Sequence, residues 1–257
     1  MLASTVLHAA WNARLHRSAD PEVVIDLAYL AVGIVLLPAA FVDPPTEVVG
    51  AVLASSVAQS AYISLLGTGY REGSLGVVYP IARGTAPLLI GLGGWLLLDE
   101  RPSVATVVGL VVLLAGLVVL AGLGSRLRER RAVVLAVGTG LCTVSYSLID
   151  ASAVDLTGAL GYLSVIMILS SSAVLLVRRP GWGRLRPVMG VSAVVGVGQG
   201  SAYALVLLAF QQAQAGQVAG LRQVSVVLGV LIAREALGPR ALWGAVLVAA
   251  GAVLVVW

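Results

Sequence analysis

An arginine stands between two prolines in the stretch YPIARGTAP, which runs from Tyr79 to Pro87 inside an apolar segment. Arg83 lies ten residues after Gly73, where the apolar segment begins. A helix would therefore place it about 15 Å deep in a hydrocarbon core of about 30 Å. A charge at that depth costs a few kcal/mol and usually faces a partner or a cavity. Arg83 is therefore the first candidate for chemistry in this chain.

Two roles are open to Arg83. Tyr79 precedes it by four residues and would project from the same helix face. Pro80 and Pro87 each remove a helical hydrogen bond, and the guanidinium could donate to the carbonyls that they leave unpaired. Alternatively, the planar guanidinium binds a carboxylate or phosphate bidentately in a polar cavity. We favour the binding role, because Arg222 recurs in the second half of the chain with no proline beside it.

Further polar side chains fall at similar depth in other apolar segments. Those that we predict to line a cavity with the two arginines are Trp11, Asn12, Gln59, Tyr79, Tyr146, Gln199 and Gln217. A comparable depth is predicted for Tyr62, Tyr203 and Gln223. Each of these residues alone is equally well explained by a hydrogen bond between packed helices. His8 is a candidate for proton coupling, although an interhelical hydrogen bond is the simpler role.

The acidic residues lie towards the ends of the apolar segments. Asp26 and Asp150 fall near such ends, where we expect water to reach them. Glu100 and Glu235 follow two of the apolar segments. For these two residues, capping or pairing with the arginine beside each is the simplest role.

The sequence carries no pattern that is typical of an enzyme. It has no phosphate-binding glycine loop, no cluster of metal ligands and no nucleophile with a credible base. The single Cys142 excludes a disulfide framework. We therefore expect no enzymatic activity, no cofactor and no metal.

The composition predicts a membrane protein. Of the 257 residues, 59% are hydrophobic and 11% are charged, whereas soluble domains carry about 25% charged residues. The 30 glycines agree with this class, because membrane helix interfaces favour small residues. The formal net charge of +4 comes from arginines in short loops. We therefore expect a multi-pass protein in the bilayer of the inner (plasma) membrane, with no nucleic-acid partner.

Ten apolar segments are long enough, or nearly so, to cross a bilayer as helices of about 20 residues. They span residues 1–13, 23–41, 48–68, 73–98, 104–123, 132–151, 156–177, 188–210, 213–233 and 241–257. We therefore predict an all-α integral membrane protein with ten transmembrane helices.

The arginines are distributed unevenly between the loops. Loops after odd-numbered segments hold thirteen arginines, and loops after even-numbered segments hold only Arg101. Arg83 and Arg222 belong to neither set, because they lie within segments. The positive-inside rule places the odd-numbered loops in the cytoplasm and both termini outside.

The two halves of the chain resemble each other in four places and in the same order. LHAAWN at 7–12 aligns with CTVSYS at 142–147, and AQSAY at 58–62 aligns with GQGSAY at 198–203. LGVVYPIARGTAP from position 75 aligns with AGQVAGLRQVSVV from position 215. The stretches that begin at positions 99 and 234 also align, which pairs Gly109 with Gly244 and Gly116 with Gly251.

Each half contains five predicted spans, so the second half would enter the membrane from the opposite side. We expect two inverted five-helix repeats, residues 1–123 and 132–257, joined by a cytoplasmic linker at 124–131. In such an architecture the substrate site lies at the midplane between the repeats. Chance similarity between two apolar halves is the alternative.

The chain resembles the drug/metabolite transporter superfamily, in particular its EamA-like members. The resemblance rests on LHAAWN, on YPIARGTAP followed by LLLDERPS, and on LRQVSVV followed by REALGP. It implies a ten-helix bundle of two repeats that moves small metabolites, often outward, by alternating access. Two features depart from the family. Arg222 precedes Glu235 by thirteen residues, whereas Arg83 precedes Glu100 by seventeen. The cytoplasmic termini that are usual in the family also contradict the arginine distribution.

We therefore expect a secondary transporter, with export favoured, for a small polar metabolite that bears a carboxylate or phosphate, such as an amino acid. The alternatives are a flippase for an anionic lipid-linked head group and a non-transporting membrane scaffold subunit. The expected oligomeric state is a monomer or a homodimer.

Overall fold

The computed structural model describes residues 1–84, 86–121, 130–225 and 239–256. These residues are almost entirely helical and contain no strand. Short 3-10 turns at Thr46–Val48 and Arg186–Val188 precede two of the helices. The described α-helices are α1 (Leu2–His16), α2 (Pro21–Val42), α3 (Val49–Glu72), α4 (Leu75–Gly84), α5 (Ala86–Leu97), α6 (Val104–Ala121), α7 (Arg130–Ala153), α8 (Ala159–Arg178), α9 (Trp182–Leu185), α10 (Met189–Phe210), α11 (Ala215–Arg222) and α12 (Pro239–Val256).

Five helical stretches of the described chain are long and apolar enough to cross a bilayer. They contain α2, α3, α7, α8 and α10, and α6 and α12 contain shorter apolar stretches. Their outer surfaces are apolar: Val35, Phe41 and Val177 are 75%, 79% and 86% exposed. Aliphatic side chains on the outside of a bundle match a lipid environment. The predicted all-helical class is confirmed.

The span predicted at 73–98 contains α4 and α5, the helices on either side of residue 85, which lies outside the described residues. Pro80 lies inside α4, where it lacks the N–H that a helical hydrogen bond requires. Arg83 follows it in the same helix, three residues later.

The span predicted at 213–233 is interrupted after Arg222. Its first helix, α11, ends at Arg222, and a turn at Gln223 follows. The rest of this span, from residue 226, lies outside the described residues. Arg222 therefore stands in the last turn of a helix, where the carbonyl ends of the peptide dipoles favour a cation.

Helices that correspond in the two halves pack against each other. In the α6–α12 pair, Gly109 closely approaches Gly251, and Gly116 closely approaches Gly244. The residue numbers rise along one helix as they fall along the other, so the two helices are antiparallel. Helices α2 and α8 are also antiparallel, because Gly33 approaches Ile168 whereas Ala40 approaches Gly161. Ser164 donates a hydrogen bond to the carbonyl of Gly33 at 2.7 Å.

The remaining contacts between the halves are reciprocal. Helix α1 packs on α10, and α7, which corresponds to α1, packs on α3, which corresponds to α10. Likewise α4 packs on α7, and α11 packs on α1. Helices α5 and α11 also come into close contact, at Gly91 and Gly216.

Ion pairs join the loops that follow odd-numbered spans. Glu22, at the start of α2, lies 3.0 Å from Arg71 at the end of α3 and 2.8 Å from Arg178 at the end of α8. Glu72 pairs with Arg131 at 2.8 Å. These residues form one face of the bundle, which we call the arginine-rich face.

Asp26 corrects one expectation. We expected water to reach it, but its side chain is fully buried and forms an ion pair with Arg178 at 3.0 Å. The reason is that α8 covers this part of α2. The arginine at the end of α8 therefore replaces water as the partner of the carboxylate.

The α6–α12 contact predicts a sharp contrast between two glycine substitutions. A Cβ at Gly251 would lie 2.6 Å from the backbone nitrogen of Leu113 and 2.7 Å from the carbonyl oxygen of Gly109. We expect Gly251→Ala to lower the free energy of unfolding by about 1–3 kcal/mol, because the two backbones must separate. Thermal unfolding of the purified protein measures this loss.

Gly50→Ala is the matched control, because nothing lies within 4 Å of its Cβ position. Alanine is a better helix former than glycine, so this variant should be neutral or slightly stabilised. Equal stability losses in the two variants would contradict close packing of α6 on α12.

Candidate substrate site

Three side chains meet at His8 in the interior of the bundle. Nη2 of Arg83 lies 2.8 Å from Nδ1 of His8, and the indole of Trp11 donates to the same nitrogen at 3.0 Å. Guanidinium and indole nitrogens only donate hydrogen bonds. Nδ1 therefore accepts both bonds and carries no proton, so the imidazole is neutral with its proton on Nε2. In this structure His8 is an interhelical hydrogen-bond acceptor.

Tyr79 connects Arg83 to the second half of the chain. The guanidinium of Arg83 lies 5.7 Å from the centre of the Tyr79 ring, at cation–π distance. The Tyr79 hydroxyl donates to the hydroxyl of Ser225 at 3.0 Å. Ser225 in turn donates to the backbone carbonyl of Arg222 at 2.6 Å. The ends of α4 and α11 are therefore joined through polar side chains.

Arg222 occupies an equivalent environment. It is 2% exposed, and its guanidinium lies 5.7 Å from the centre of the Tyr203 ring. Its Nε has no hydrogen-bond partner among the described residues. Within the described ranges, neither Arg222 nor Arg83 forms an ion pair with a carboxylate. Aromatic faces and neutral acceptors thus replace the usual counter-ion.

Several buried polar atoms near the arginines lack partners in the described part of the chain. They are Nε2 of His8, Nε2 of Gln59, Oε1 of Gln199 and Oε1 of Gln223. Most buried polar atoms in proteins are hydrogen-bonded, so each such atom requires an explanation. Together they provide donors and acceptors that a bound polar molecule could use.

Tyrosine rings fill the space between the two halves. Tyr146 contacts Tyr62 and Tyr203 edge to face, with ring centres 5.4 Å and 5.6 Å apart. Tyr62 lies within electrostatic range of both Arg83 and Arg222. The rings therefore form an aromatic wall between helices α3, α7 and α10, close to both guanidiniums.

Two of the predicted cavity residues are placed differently. The amide nitrogen of Asn12 donates to the carbonyl of His8 at 2.8 Å, and its oxygen accepts from the Tyr70 hydroxyl at 2.6 Å. Asn12 therefore joins α1 to α3. Gln217 is only half-buried and lies outside the arginine cluster. The other predicted residues, Trp11, Gln59, Tyr79, Arg83, Tyr146, Gln199 and Arg222, are all buried.

Comparison with known proteins agrees with this arrangement. A model of the EamA-like transporter family matches residues 4–122, which hold α1 to α6 of the described chain. The resemblance to the EamA-like transporters is confirmed. The match covers slightly less than half of the chain, and the matched family is one of membrane transporters.

The fold of this chain also occurs in solved structures. One of them, described only as "Crystal structure of protein", has a TM-score of 0.76 and 17% sequence identity. The match covers 98% of this chain and 93% of that one. At that identity the similarity shows the fold alone. Comparison with curated proteins finds no match.

Asp150 is a buried residue of the bundle whose placement we predicted wrongly. We expected water to reach it near the end of a span, but its side chain is fully buried. It accepts hydrogen bonds from Ser55 at 2.5 Å, from Tyr162 at 2.7 Å and from Tyr203. Helix α7 continues past the predicted end to Ala153, and three neighbouring helices cover the carboxylate. The signal available in the sequence was the absence of any arginine in the nearby loop.

A cavity of about 760 Å³ opens on the face opposite to the arginine-rich one, and we call it the vestibule. The loops that line the vestibule all follow even-numbered spans. It is lined by Leu98, Glu100, Arg101, Ser103, Ala151, Ser152, Asp155, Phe210, Gln212, Ala213, Gln214 and Gln217. Gln217 therefore faces the entrance rather than the buried arginine cluster.

Glu100 caps a helix at the edge of the vestibule. Its Oε1 accepts a hydrogen bond from the backbone N–H of Ala215, at the start of α11, at 2.6 Å. This capping contact is one of the roles that we expected for Glu100, and its corresponding residue, Glu235, lies outside the described residues. Partial burial raises the pKa of the Glu100 carboxyl above its ordinary value, while the N–H groups of Ala215 and Gly216 oppose that rise.

The His8 contacts predict that two substitutions will differ in stability. His8→Leu removes the acceptor at Nδ1 and leaves the buried guanidinium of Arg83 without it. We expect a loss of about 1–3 kcal/mol in the free energy of unfolding. His8→Asn keeps an oxygen acceptor near the position of Nδ1 and should lose less. Thermal unfolding followed by circular dichroism compares the two, and equal losses would show that the acceptor does not stabilise Arg83.

Proposed function

We propose that this protein is a secondary transporter of a small polar metabolite that bears a carboxylate or phosphate, such as an amino acid, in the inner (plasma) membrane. The observation that carries the proposal is the pair of buried guanidiniums without a carboxylate partner among the described residues. A buried charge requires compensation. The tyrosine rings and His8 compensate the two charges partially, and an anionic group of the substrate would complete this compensation.

The proposed roles follow from position. Arg83 and Arg222 bind the anionic group through their guanidiniums, which match the geometry of carboxylate and phosphate. The neighbouring side chains that contact the rest of the substrate are Trp11, Gln59, Tyr79, Tyr146 and Gln199. Gln217 lies on the entry route through the vestibule. Asn12 holds α1 against α3, and His8 positions Arg83 rather than exchanging protons.

We further propose that the chain consists of two inverted repeats, residues 1–123 and 132–257, with a linker at 124–131. The antiparallel pairs α2–α8 and α6–α12 support this, because corresponding helices of inverted repeats must run in opposite directions. The reciprocal contacts α1–α10 and α7–α3 support it too. A substrate site between such repeats fits the position of the two arginines, one in each half.

Alternating access is supported by the contrast between the two faces. The arginine-rich face is closed by ion pairs of Glu22 and Glu72, whereas the vestibule opens on the other face. The buried cluster lies in the bundle interior. The arginine distribution places the vestibule outside the cell, and the family resemblance favours export. In this proposal, substrate release towards the vestibule requires a small movement of the ends of α4 and α11.

A flippase for an anionic lipid-linked head group is the second candidate. An apolar groove of about 560 Å³ on the lipid-facing side of α2, α8 and α10 favours it, because an acyl chain would fit there. A lipid-scrambling assay in vesicles separates this candidate from a solute carrier. A protein that moves neither lipids nor solutes would be a scaffold.

Substitution of Arg83 tests the binding role. Arg83→Lys keeps the charge but loses the planar fork, so we expect anion affinity to fall about tenfold. Arg83→Gln should lower it about a hundredfold. The measurement is a thermal-shift titration of the purified protein with small carboxylates and phosphates, each compared with its neutral amide or alcohol. Binding at a hundredfold excess over Kd stabilises the folded state by about 2.7 kcal/mol.

The exposed Arg14 supplies the control, because Arg14→Gln removes the same charge outside the bundle. This variant should bind anions as the unmodified protein does. If Arg83→Gln lowers stability but leaves the affinity for every anion unchanged, Arg83 has only a structural role. A panel in which no anion binds better than its neutral analogue contradicts the proposed substrate class.

The arginine distribution predicts the orientation in the membrane. A reporter fused after Trp257 should be active on the non-cytoplasmic side, and one inserted in SRLRERR at 125–131 should be active in the cytoplasm. The reverse pattern would mean that the arginine-rich face lies outside. The termini would then be cytoplasmic, as is usual in the family.

A further inference from the structure

The carboxylate of Asp150 is bonded unequally on its two oxygens. Oδ1 accepts from both Ser55, at 2.5 Å, and Tyr162, at 2.7 Å. Among the described residues, Oδ2 accepts from Tyr203 only. A carboxylate oxygen has two lone pairs, so the described donors use both lone pairs of Oδ1 and one lone pair of Oδ2. A proton that binds to this carboxylate therefore has its place on Oδ2.

Tyr203 links that oxygen to the proposed anion site. Its hydroxyl bonds to Oδ2 of Asp150, and its ring lies 5.7 Å from the guanidinium of Arg222. Asp150 also lies within electrostatic range of Arg222 without forming an ion pair with it. One side chain therefore contacts both a buried acid and a buried cation.

We propose that Asp150 is the proton-binding site of this transporter, and that Tyr203 couples its charge to anion binding at Arg222. The inference rests on the proposed function, because it assumes that Arg222 binds the anionic group of the substrate. It adds the coupling ion, a proton, and assigns it to a residue outside the arginine cluster.

The sign of the coupling follows from electrostatics. While Asp150 is ionised, its negative charge attracts Arg222 and repels an incoming anion. Protonation at Oδ2 removes that charge, so anion affinity at Arg222 rises. By reciprocity, a bound anion makes protonation of Asp150 more favourable by the same factor. The proton and the anion therefore occupy the protein together.

Co-occupancy determines the transport stoichiometry. Each anion crosses with one proton, so the pair adds no net charge for a monovalent substrate. Net export is then driven by the outward gradient of the substrate, and each exported anion carries a proton out. An inward proton gradient would drive uptake instead.

A route for the proton is present at the end of α7. The two residues that follow Asp150, Ala151 and Ser152, line the vestibule. Phe210, seven residues after Tyr203, lines it as well. The carboxylate is therefore buried next to residues that line a polar cavity, which is the route that we propose for the proton.

The helices that pack around Asp150 differ in the groups that they bring to it. Titratable or polar groups that face it are Ser55 from α3, Tyr162 from α8, Tyr203 from α10 and Arg222 from α11. Tyr146 stands one turn earlier on α7, and Tyr62 lies two turns after Ser55 on α3. Helix α4 brings Tyr79 and Arg83 to α7, and neither bonds to Asp150 in the described chain; α5 carries no titratable residue. Tyrosines and serine are neutral at physiological pH, so Arg222 is the charged group that responds to Asp150.

Infrared spectroscopy of the purified full-length protein tests the proton site without any ligand. Acidification should produce the C=O stretch of a protonated, buried carboxyl group, and this band should disappear in Asp150→Asn. Asp26→Asn is the matched control, because Asp26 is equally buried but ion-paired with Arg178. A band that persists unchanged in Asp150→Asn would overturn the assignment.

Calorimetric titration with methanesulfonate tests the coupling, because this anion stays ionised over the whole pH range used. Affinity should fall about tenfold as the pH rises through the Asp150 titration seen in the infrared. Titrations in two buffers of different ionisation enthalpy should show proton uptake on binding. Asp150→Asn resembles the protonated acid, so it should bind the anion tightly at every pH with no proton uptake.

Two tyrosine variants distinguish a coupling role of Tyr203 from a merely structural one. They also provide the test if Asp150→Asn does not fold. Tyr203→Phe removes the link to Oδ2, and Tyr162→Phe removes a donor from Oδ1 without contacting Arg222. Both should ease protonation of Asp150, but only Tyr203→Phe should reduce the proton uptake that accompanies anion binding. Equal uptake in both variants would overturn the role of Tyr203. Failure of methanesulfonate to bind at any pH contradicts both the anion site and the coupling, whereas a lost infrared band in Asp150→Asn would still locate the proton.

Discussion

The structure depends on the burial of two guanidiniums in the interior of a membrane bundle without carboxylate partners in the described chain. Arg222 stands in the last turn of α11, where the carbonyl ends of the peptide dipoles favour a cation. Arg83 is bonded to the neutral imidazole of His8. A tyrosine ring lies at cation–π distance from each guanidinium. Helix position, a neutral acceptor and aromatic rings thus compensate the two buried charges.

Close packing elsewhere in the bundle supports the helices that carry the arginines. Close glycine contacts hold α6 against α12 and α11 against α5, and ion pairs of Glu22 hold α2 to the ends of α3 and α8. Polar contacts join α4 to the residues after α11, through Tyr79 and Ser225, and join Glu100 to the first N–H of α11. Polar contacts can exchange partners at lower cost than a glycine interface. Movement is therefore expected at these polar contacts and not in the closely packed pairs.

Sequence reasoning predicted the helical class, the burial of the two arginines within apolar segments and the hydrogen-bonding role of His8. A charged or polar residue in an apolar segment is a strong local signal. It missed what depends on register between helices. Asp150 lies three residues from a helix end and was assigned to water, although α3, α8 and α10 cover it. Asn12 and Gln217 have suitable depth along their helices but are directed to other neighbours. Depth can be counted along one helix, whereas direction depends on how several helices pack.

The two proposed repeats differ in chemistry, and this difference bears on the proposed mechanism. In the alignment of the two halves, Leu15 occupies the position of Asp150, and Thr143 occupies the position of His8. The acid therefore belongs to the second half, within electrostatic range of Arg222. The neutral imidazole belongs to the first half, beside Arg83. A change of charge at Asp150 consequently acts on Arg222 more than on Arg83. In the proposed alternating access, an asymmetric charge of this kind would give the two conformations different proton affinities, which is the condition for a proton to drive the exchange.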